Sequence, residues 1–229
     1  MSPLHLLLLI VFFVIGQNAQ ADDLPRGFSY LKNIDPSIAQ DIRYAGEENF
    51  TGGKVPGYLA GECILASPAA RALGAVQTEL RAQGFGLLVY DCYRPKKAVS
   101  YFMKWAKGNH DTNPGYHPDI AASKLFEKGY IAARSGHSSG DAVDLTLINL
   151  NSRQPIEMGT RFDFFSPLSW THSSKISAEA RKNRAILVDV MARHGFGNYA
   201  QEWWHFSYRR PSFKGQYFDF PVTRAQPLR

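Results

Sequence analysis

Ala142-Val143-Asp144-Leu145-Thr146-Leu147-Ile148 is a short apolar run with a carboxylate set inside it. Read as a strand, Val143 to Ile148 puts Asp144 and Thr146 on one face. A carboxylate buried without a partner is costly. The fold must therefore bring partners to this strand from elsewhere in the chain. Just upstream lies Ser135-Gly136-His137-Ser138-Ser139-Gly140-Asp141, whose Gly140-Asp141 turn can hold His137 on a loop beside the strand. Far downstream lies Glu202-Trp203-Trp204-His205.

Together these segments offer two imidazoles and a carboxylate as ligands, His137, His205 and Asp144, with a second carboxylate, Glu202, three residues before the last ligand. Hydrolytic zinc sites need this set: three protein ligands, an open position for water, and a carboxylate that relays the proton of that water to the leaving group. One local conflict stands against it. Glu202 and His205 are three apart, so on a regular strand they point to opposite faces. For both to reach one centre, the chain must bulge or turn between them. Each residue also has an ordinary reading: a surface or core histidine, a charge at the start of a strand, a tryptophan pair in the core. His110 with Asp111, and His117 with Asp119, imitate a metal site but read as solvated loop residues, and His172 and His194 fall in a loop and at a helix end.

The remaining organisation is that of one domain without repeats, low-complexity tracts or linkers. Residues 24–66 are rich in Gly, Pro and Asn and read as strands and loops. Ser67-Pro68 reads as an N-cap and first helical position, with Leu73, Val76 and Leu80 at helical spacing and Gly84 as the stop. Phe85 to Tyr90 reads as a buried strand, and a second helix starts at Pro95. Residues 108–120 and 149–176 read as loops, Ser177 as the cap of a helix running to His194, and Trp203 to Tyr208 as a strand. Strands and helices without a regular βαβ alternation indicate an α+β fold.

The chain opens with an unbroken apolar run, Leu6 to Ile15, then a polar stretch ending Ala19-Gln20-Ala21. A run of that length is too short to span a bilayer as a helix, which needs about 20 residues. With its A-x-A site it reads as a cleaved secretory signal over residues 1–21, leaving 22–229 as the mature domain. Its n-region carries His5 but no Lys or Arg, and an N-terminal membrane anchor is the alternative. The expectation is a periplasmic or secreted protein with no stable membrane insertion after cleavage. The formal charge of +6 suits work near anionic wall polymer or membrane surface. Without a basic run or an RNA-binding signature it gives no case for nucleic acid. Cys63 and Cys92 are too few for a zinc ribbon; they can form one disulfide or remain buried thiols.

The patterns S-x-H-x-x-G-x-A-x-D at Ser135 to Asp144 and E-x-W-H at Glu202 to His205 resemble the M15 family of zinc D-amino-acid peptidases. Further pieces resemble its D-alanyl-D-alanine dipeptidase branch: Asp41 to Tyr44, Asn49 to Gly52, Asp91 to Pro95, Met158 to Asp163 and Tyr217 to Pro221. The resemblance runs from about Tyr30 to Pro221. It implies a hedgehog/D,D-peptidase-like fold, with a mainly antiparallel central sheet packed by helices and a zinc site at the sheet. It implies one zinc ion per chain on His137, Asp144 and His205, Glu202 as general base, and Arg94 stabilising the oxyanion. Asp163 matches the residue that binds the substrate ammonium, and Tyr44 and Ser135 match pocket-lining residues. The implied substrate is a small D,D-dipeptide. The alternatives are a D,D-carboxypeptidase on peptidoglycan stem peptides and a non-catalytic zinc-stabilised binding module. For Arg94 the ordinary alternative is a structural salt bridge in a Tyr-Arg-Pro turn. Two departures from the cytoplasmic resistance enzymes are the signal sequence and Ser139, which stands where Arg is usual. The first points to wall-peptide turnover or scavenging.

Overall fold

The computed structural model describes residues 24–108 and 112–224. The expected signal sequence and the His110–Asp111 pair lie outside the described residues. The elements in chain order are β1 (Phe28–Tyr30), α1 (Leu31–Ile34), β2 (Ala39–Gln40), β3 (Ile64–Ala66), α2 (Ser67–Arg81) and β4 (Phe85–Asp91). They are followed by α3 (Lys96–Ala106), β5 (Ala142–Asn149), α4 (Ala178–Arg193), β6 (Phe196–Tyr199) and β7 (Glu202–Tyr208). A five-stranded sheet in the order β2-β4-β5-β7-β6 forms the centre. Its pairings are antiparallel except β2 with β4, and β1 with β3 makes a separate antiparallel pair. The fold is α+β, with the mainly antiparallel sheet expected.

Helix α2 buries Leu73, Val76 and Leu80, the residues whose spacing predicted it. Its start differs in detail. Ala66 is the cap and Ser67 is already helical, its Oγ 2.7 Å from Ser29 Oγ. Tertiary carbonyls take the first amides at this end, Ala66 N donating to Gly140 O and Ser67 N to Gly27 O, and Pro68 has no N–H to cap. Helix α4 is capped as expected, Ser177 Oγ accepting from Ala180 N at 3.0 Å. Helices α2 and α4 pack on each other, and between them cover β4, β5 and β6. Helix α3 begins one residue later than expected, with Pro95 at its N-cap, and buries Ala98, Val99, Phe102 and Ala106. The early segment is strands and loops as its composition predicts, apart from α1 and a 3-10 turn at Arg43–Ala45.

Strand β5 lies between β4 and β7 and is buried along nearly its whole length, which is why it reads as a continuous apolar run. Among the described residues no helix is long and apolar enough to cross a membrane. Cys63 and Cys92, which the sequence left either paired or free, form a disulfide with Cα atoms 5.2 Å apart.

Candidate active site

Two irregularities in the sheet build the site. In the β6–β7 pairing, Asn198 opposes Phe206 while Tyr199 opposes Glu202. Three residues of β7 therefore bulge out between adjacent ladder positions. This resolves the spacing conflict, because Glu202 and His205 both line one cavity while the consecutive Trp203 and Trp204 are both buried. Asn198 fills the bulge, its Nδ2 donating to Glu202 O at 3.1 Å and His205 O at 3.0 Å. In the β4–β5 pairing the register shifts between Val89 and Asp91, so that Asp91 lies opposite Asp144. Without that extra residue Asp91 would face the other side of the sheet.

The ligand atoms of His137, Asp144 and His205 converge. His137 Nε2 is 3.1 Å from His205 Nδ1 and 3.3 Å from Asp144 Oδ1, and His205 Nδ1 is 2.9 Å from Asp144 Oδ1. A tetrahedral zinc ion with bonds of about 2.0–2.2 Å holds its ligands about 3.3 Å apart, so the three residues fit such an ion. The orientation of His137 agrees: its Nδ1 donates to Cys92 O at 2.7 Å, which leaves the Nε2 lone pair aimed at the cluster. Burial opposes ionisation of Asp144, yet the facing imidazoles, His137 first, hold its carboxyl well below the usual range. Burial pushes the His205 imidazole down, favouring the neutral ring a ligand needs.

His137 sits in the 3-10 turn Gly136–Ser139, whose N-cap Ser135 accepts from His137 N. Gly140 closes the turn at φ +80°, and a Cβ there would collide with the Phe28 ring and stand 3.0 Å from Ala66 N. The turn is tied to Arg94 by Arg94 N donating to His137 O and Ser138 Oγ donating to Arg94 O. The C-terminal motif closes the same corner: Phe218 N donates to Ser138 O, Lys96 N to Phe218 O, and Phe220 stacks on Tyr93.

Arg94 lines the cavity and is salt-bridged within it. Its Nε donates to Asp91 Oδ2 at 2.9 Å, and its terminal nitrogen lies 2.8 Å from that oxygen and 3.5 Å from Asp144 Oδ2. Burial works against its charge, but Asp91, Tyr44, Tyr58 and Asp144 together outweigh that and hold the guanidinium charged. Asp91 was not singled out from the sequence. A signal for it existed, since it ends the buried strand Phe85–Asp91 with the same costly buried carboxylate as Asp144. Tyr58 donates its hydroxyl to Asp91 Oδ1 at 2.6 Å.

Asp163 is buried at φ +58° and accepts from Tyr44 Oη at 2.8 Å. Asp tolerates that left-handed conformation better than most residues. Burial, then the Asp144 charge, pushes its carboxyl well up. Glu202 is likewise pushed well up by burial and by Asp144 and Asp163.

The cavity of about 310 Å³ brings together all eight sequence candidates: Tyr44, Arg94, Ser135, His137, Asp144, Asp163, Glu202 and His205. Among the described residues 108–120 contribute nothing, 149–176 contribute Asp163 and Phe165, and Gly129 to Gly136 supply most of the rest with Tyr199. That segment holds few residues whose chemistry marks it in a sequence. His117, expected in solvent, is buried and donates from Nδ1 to Ile120 O at 2.8 Å, because the loop folds back under Trp105.

A family model described as Peptidase_M15, D-ala-D-ala dipeptidase, matches residues 25–223. A D-alanyl-D-alanine dipeptidase of Enterococcus faecium is 39% identical over 198 residues, covering 86% of this chain and 98% of its own. Those of Streptomyces coelicolor and Enterococcus faecalis are 38% and 37% identical, each over at least 86% of this chain and 98% of their own. The solved structure of a vancomycin resistance D,D-pentapeptidase in complex with Zn(II) aligns at TM-score 0.37 and 17% identity, over 66% of this chain and 76% of that one. That likeness is too slight to bear on fold or site.

Proposed function

Since the chain belongs to the M15 peptidase family, in its D-alanyl-D-alanine dipeptidase group, we propose that it hydrolyses D-alanyl-D-alanine to two D-alanines with one zinc ion held by His137, Asp144 and His205. A metal bound there supplies Lewis acidity to a water and to the scissile carbonyl. The rest of the chemistry belongs to the side chains. Asp163, with Tyr44 fixing one carboxylate oxygen, takes the substrate ammonium. That ammonium gives the buried Asp163 a counter-charge, which a longer chain carrying an amide at this point would not. Ser135 lines the cavity around the bound dipeptide.

Glu202 is the general base. Its carboxylate has no hydrogen bond or ion pair among the described residues, so it is free to take a proton from the attacking water. The surroundings that raise its proton affinity suit it to hold that proton, then deliver it to the amine nitrogen as the C–N bond breaks. Arg94, braced by Asp91, presents a fixed cation to the negative charge that develops on the carbonyl oxygen. The observation that carries the reading is one small cavity holding a metal-ligand triad, an unpaired carboxylate and a buried Asp163 together. The buried Asp163 at one end of it favours a substrate with a free ammonium, a dipeptide, over a stem peptide.

From the apolar run Leu6 to Ile15 and its A-x-A site we further propose that the enzyme works in the periplasm or outside the cell, in wall-peptide turnover or scavenging. The Cys63–Cys92 disulfide supports an oxidising compartment. The test is release of free D-alanine from D-alanyl-D-alanine, its L,L counterpart and an acyl-D-alanyl-D-alanine stem peptide, each with and without chelator. Chelator-sensitive cleavage of the free D,D-dipeptide alone is expected. Cleavage of the blocked stem peptide would make the protein a carboxypeptidase, and cleavage of none would make it a binding module.

A further inference from the structure

We propose that a second cavity, opening beside Arg134 and Ser135, is a subsite for an acidic side chain on the C-terminal residue of the dipeptide. This rests on the dipeptidase reading. The second cavity, about 330 Å³, shares Val99, Arg134 and Ser135 with the catalytic one, so the two adjoin there. Asp163 lines the catalytic cavity and not the second one. A dipeptide anchored there by its ammonium directs its second residue away from Asp163, towards the junction.

The lining of this side cavity has one sign of charge. Lys96 and Arg134 face it with the hydroxyl residues Ser100, Ser138 and Tyr217, and no Asp or Glu takes part. Neither cation has an ion-pair partner among the described residues, and the hydroxyls of Ser100 and Tyr217 have no hydrogen-bond partner there. The adjoining Lys97, by contrast, is engaged by Asp219 through its backbone N–H and its ammonium. Farther along α3, a third cavity continues from the second through Val99, Ser100 and Ala133 and adds Lys104 and Lys107, again with no carboxylate. The positive charge thus extends from the catalytic mouth along α3, and two cations sharing a lining with free hydroxyls suit a carboxylate.

The discriminating pair of substrates is D-alanyl-D-glutamate and D-alanyl-D-glutamine, nearly equal in shape and differing in charge. With zinc-loaded enzyme, kcat/KM for the acid should exceed that for the amide by about fivefold, the size expected of two solvent-accessible charge pairs. The ratio should fall towards one in Lys96→Gln and in Arg134→Gln, and at high salt. Each ratio is internal to its variant, so a general loss of activity does not imitate the effect. A wild-type ratio near one, or one unchanged by both substitutions, would overturn the subsite. D-alanyl-D-alanine is run alongside: its cleavage with a flat acid-to-amide ratio condemns the subsite alone, and failure to cleave it removes the dipeptidase reading and the subsite with it.

Discussion

Glu202 and Asp163 share one cavity and are pushed the same way by burial, yet their partners differ. Asp163 has the Tyr44 hydroxyl to hold it still, whereas Glu202 has no fixed hydrogen-bond partner among the described residues. A held carboxylate suits binding, and a free one suits proton transfer. Replacing Glu202 with Ala should leave zinc content near one ion per chain while kcat falls by about 10²–10⁴-fold, the usual worth of a general base. Metal analysis beside steady-state kinetics checks this, and near-normal turnover would remove Glu202 from the role. In Asp163→Ala, KM for the dipeptide should rise by about 10–100-fold, the worth of a charged hydrogen bond. Length selection should relax, and if tripeptides remain uncleaved the gate lies elsewhere. Asp91 acts one step further back, since both its close contacts to Arg94 come from a single oxygen. Asp91→Asn keeps the shape but removes the charge. It should lower kcat more than it raises KM, with a loss of stability of up to about 3 kcal/mol from the uncompensated buried cation. An equal loss in Arg94→Ala and in the double variant would place the two residues on one pathway.

The elements that carry these residues were legible to different degrees. Helices α2 and α4 follow from periodicity and end signals, because their apolar faces are buried against the sheet and little else competes. The strand around Asp144 was legible because a charge in an apolar run has few explanations. The two bulges, one residue in β4 and three in β7, were not readable in position, since a register shift depends on what the partner strand offers. Yet the spacing of Glu202 and His205 called for a bulge or a turn between them if both were to reach one centre. The cover of the cavity was least legible. Segment 129–136 lies in irregular backbone, held by bonds such as Tyr130 N to Leu125 O that have no local sequence mark. Asn198 is the test of the β7 bulge, because its side chain satisfies the carbonyls of both Glu202 and His205 while its Oδ1 accepts from Thr171. In Asn198→Ala those carbonyls lose their donor, at a cost of about 1–3 kcal/mol. The bulge should loosen, so kcat should fall with the thermal midpoint at fixed zinc. An unchanged kcat in a destabilised protein would show that the bulge holds its shape without Asn198.

Across the whole molecule, the first third of the chain adds no metal ligand, but the Cys63–Cys92 disulfide ties it to the catalytic strand end. Cys63 precedes β3, and Cys92 follows Asp91, precedes Arg94 by two residues and gives its carbonyl to His137. The bond therefore anchors the segment that orients one ligand and one catalytic cation. Both cysteines are buried, and Tyr93 N donating to Ile64 O runs beside the bond. The crosslink closes a 29-residue separation, which in the chain-entropy model stabilises the fold by about 3–4 kcal/mol. Cys63→Ala with Cys92→Ala should lower the thermal midpoint by that worth. If the bond only restricts the unfolded chain, zinc affinity of the folded protein, measured by competition with a chelator well below the midpoint, stays as it was. If it also holds the Cys92 carbonyl against His137, zinc affinity falls by about 10-fold or more, as for other groups that orient a ligand. The contacts favour the second outcome, because the crosslink ties the residue whose carbonyl holds His137 directly to the residue before β3.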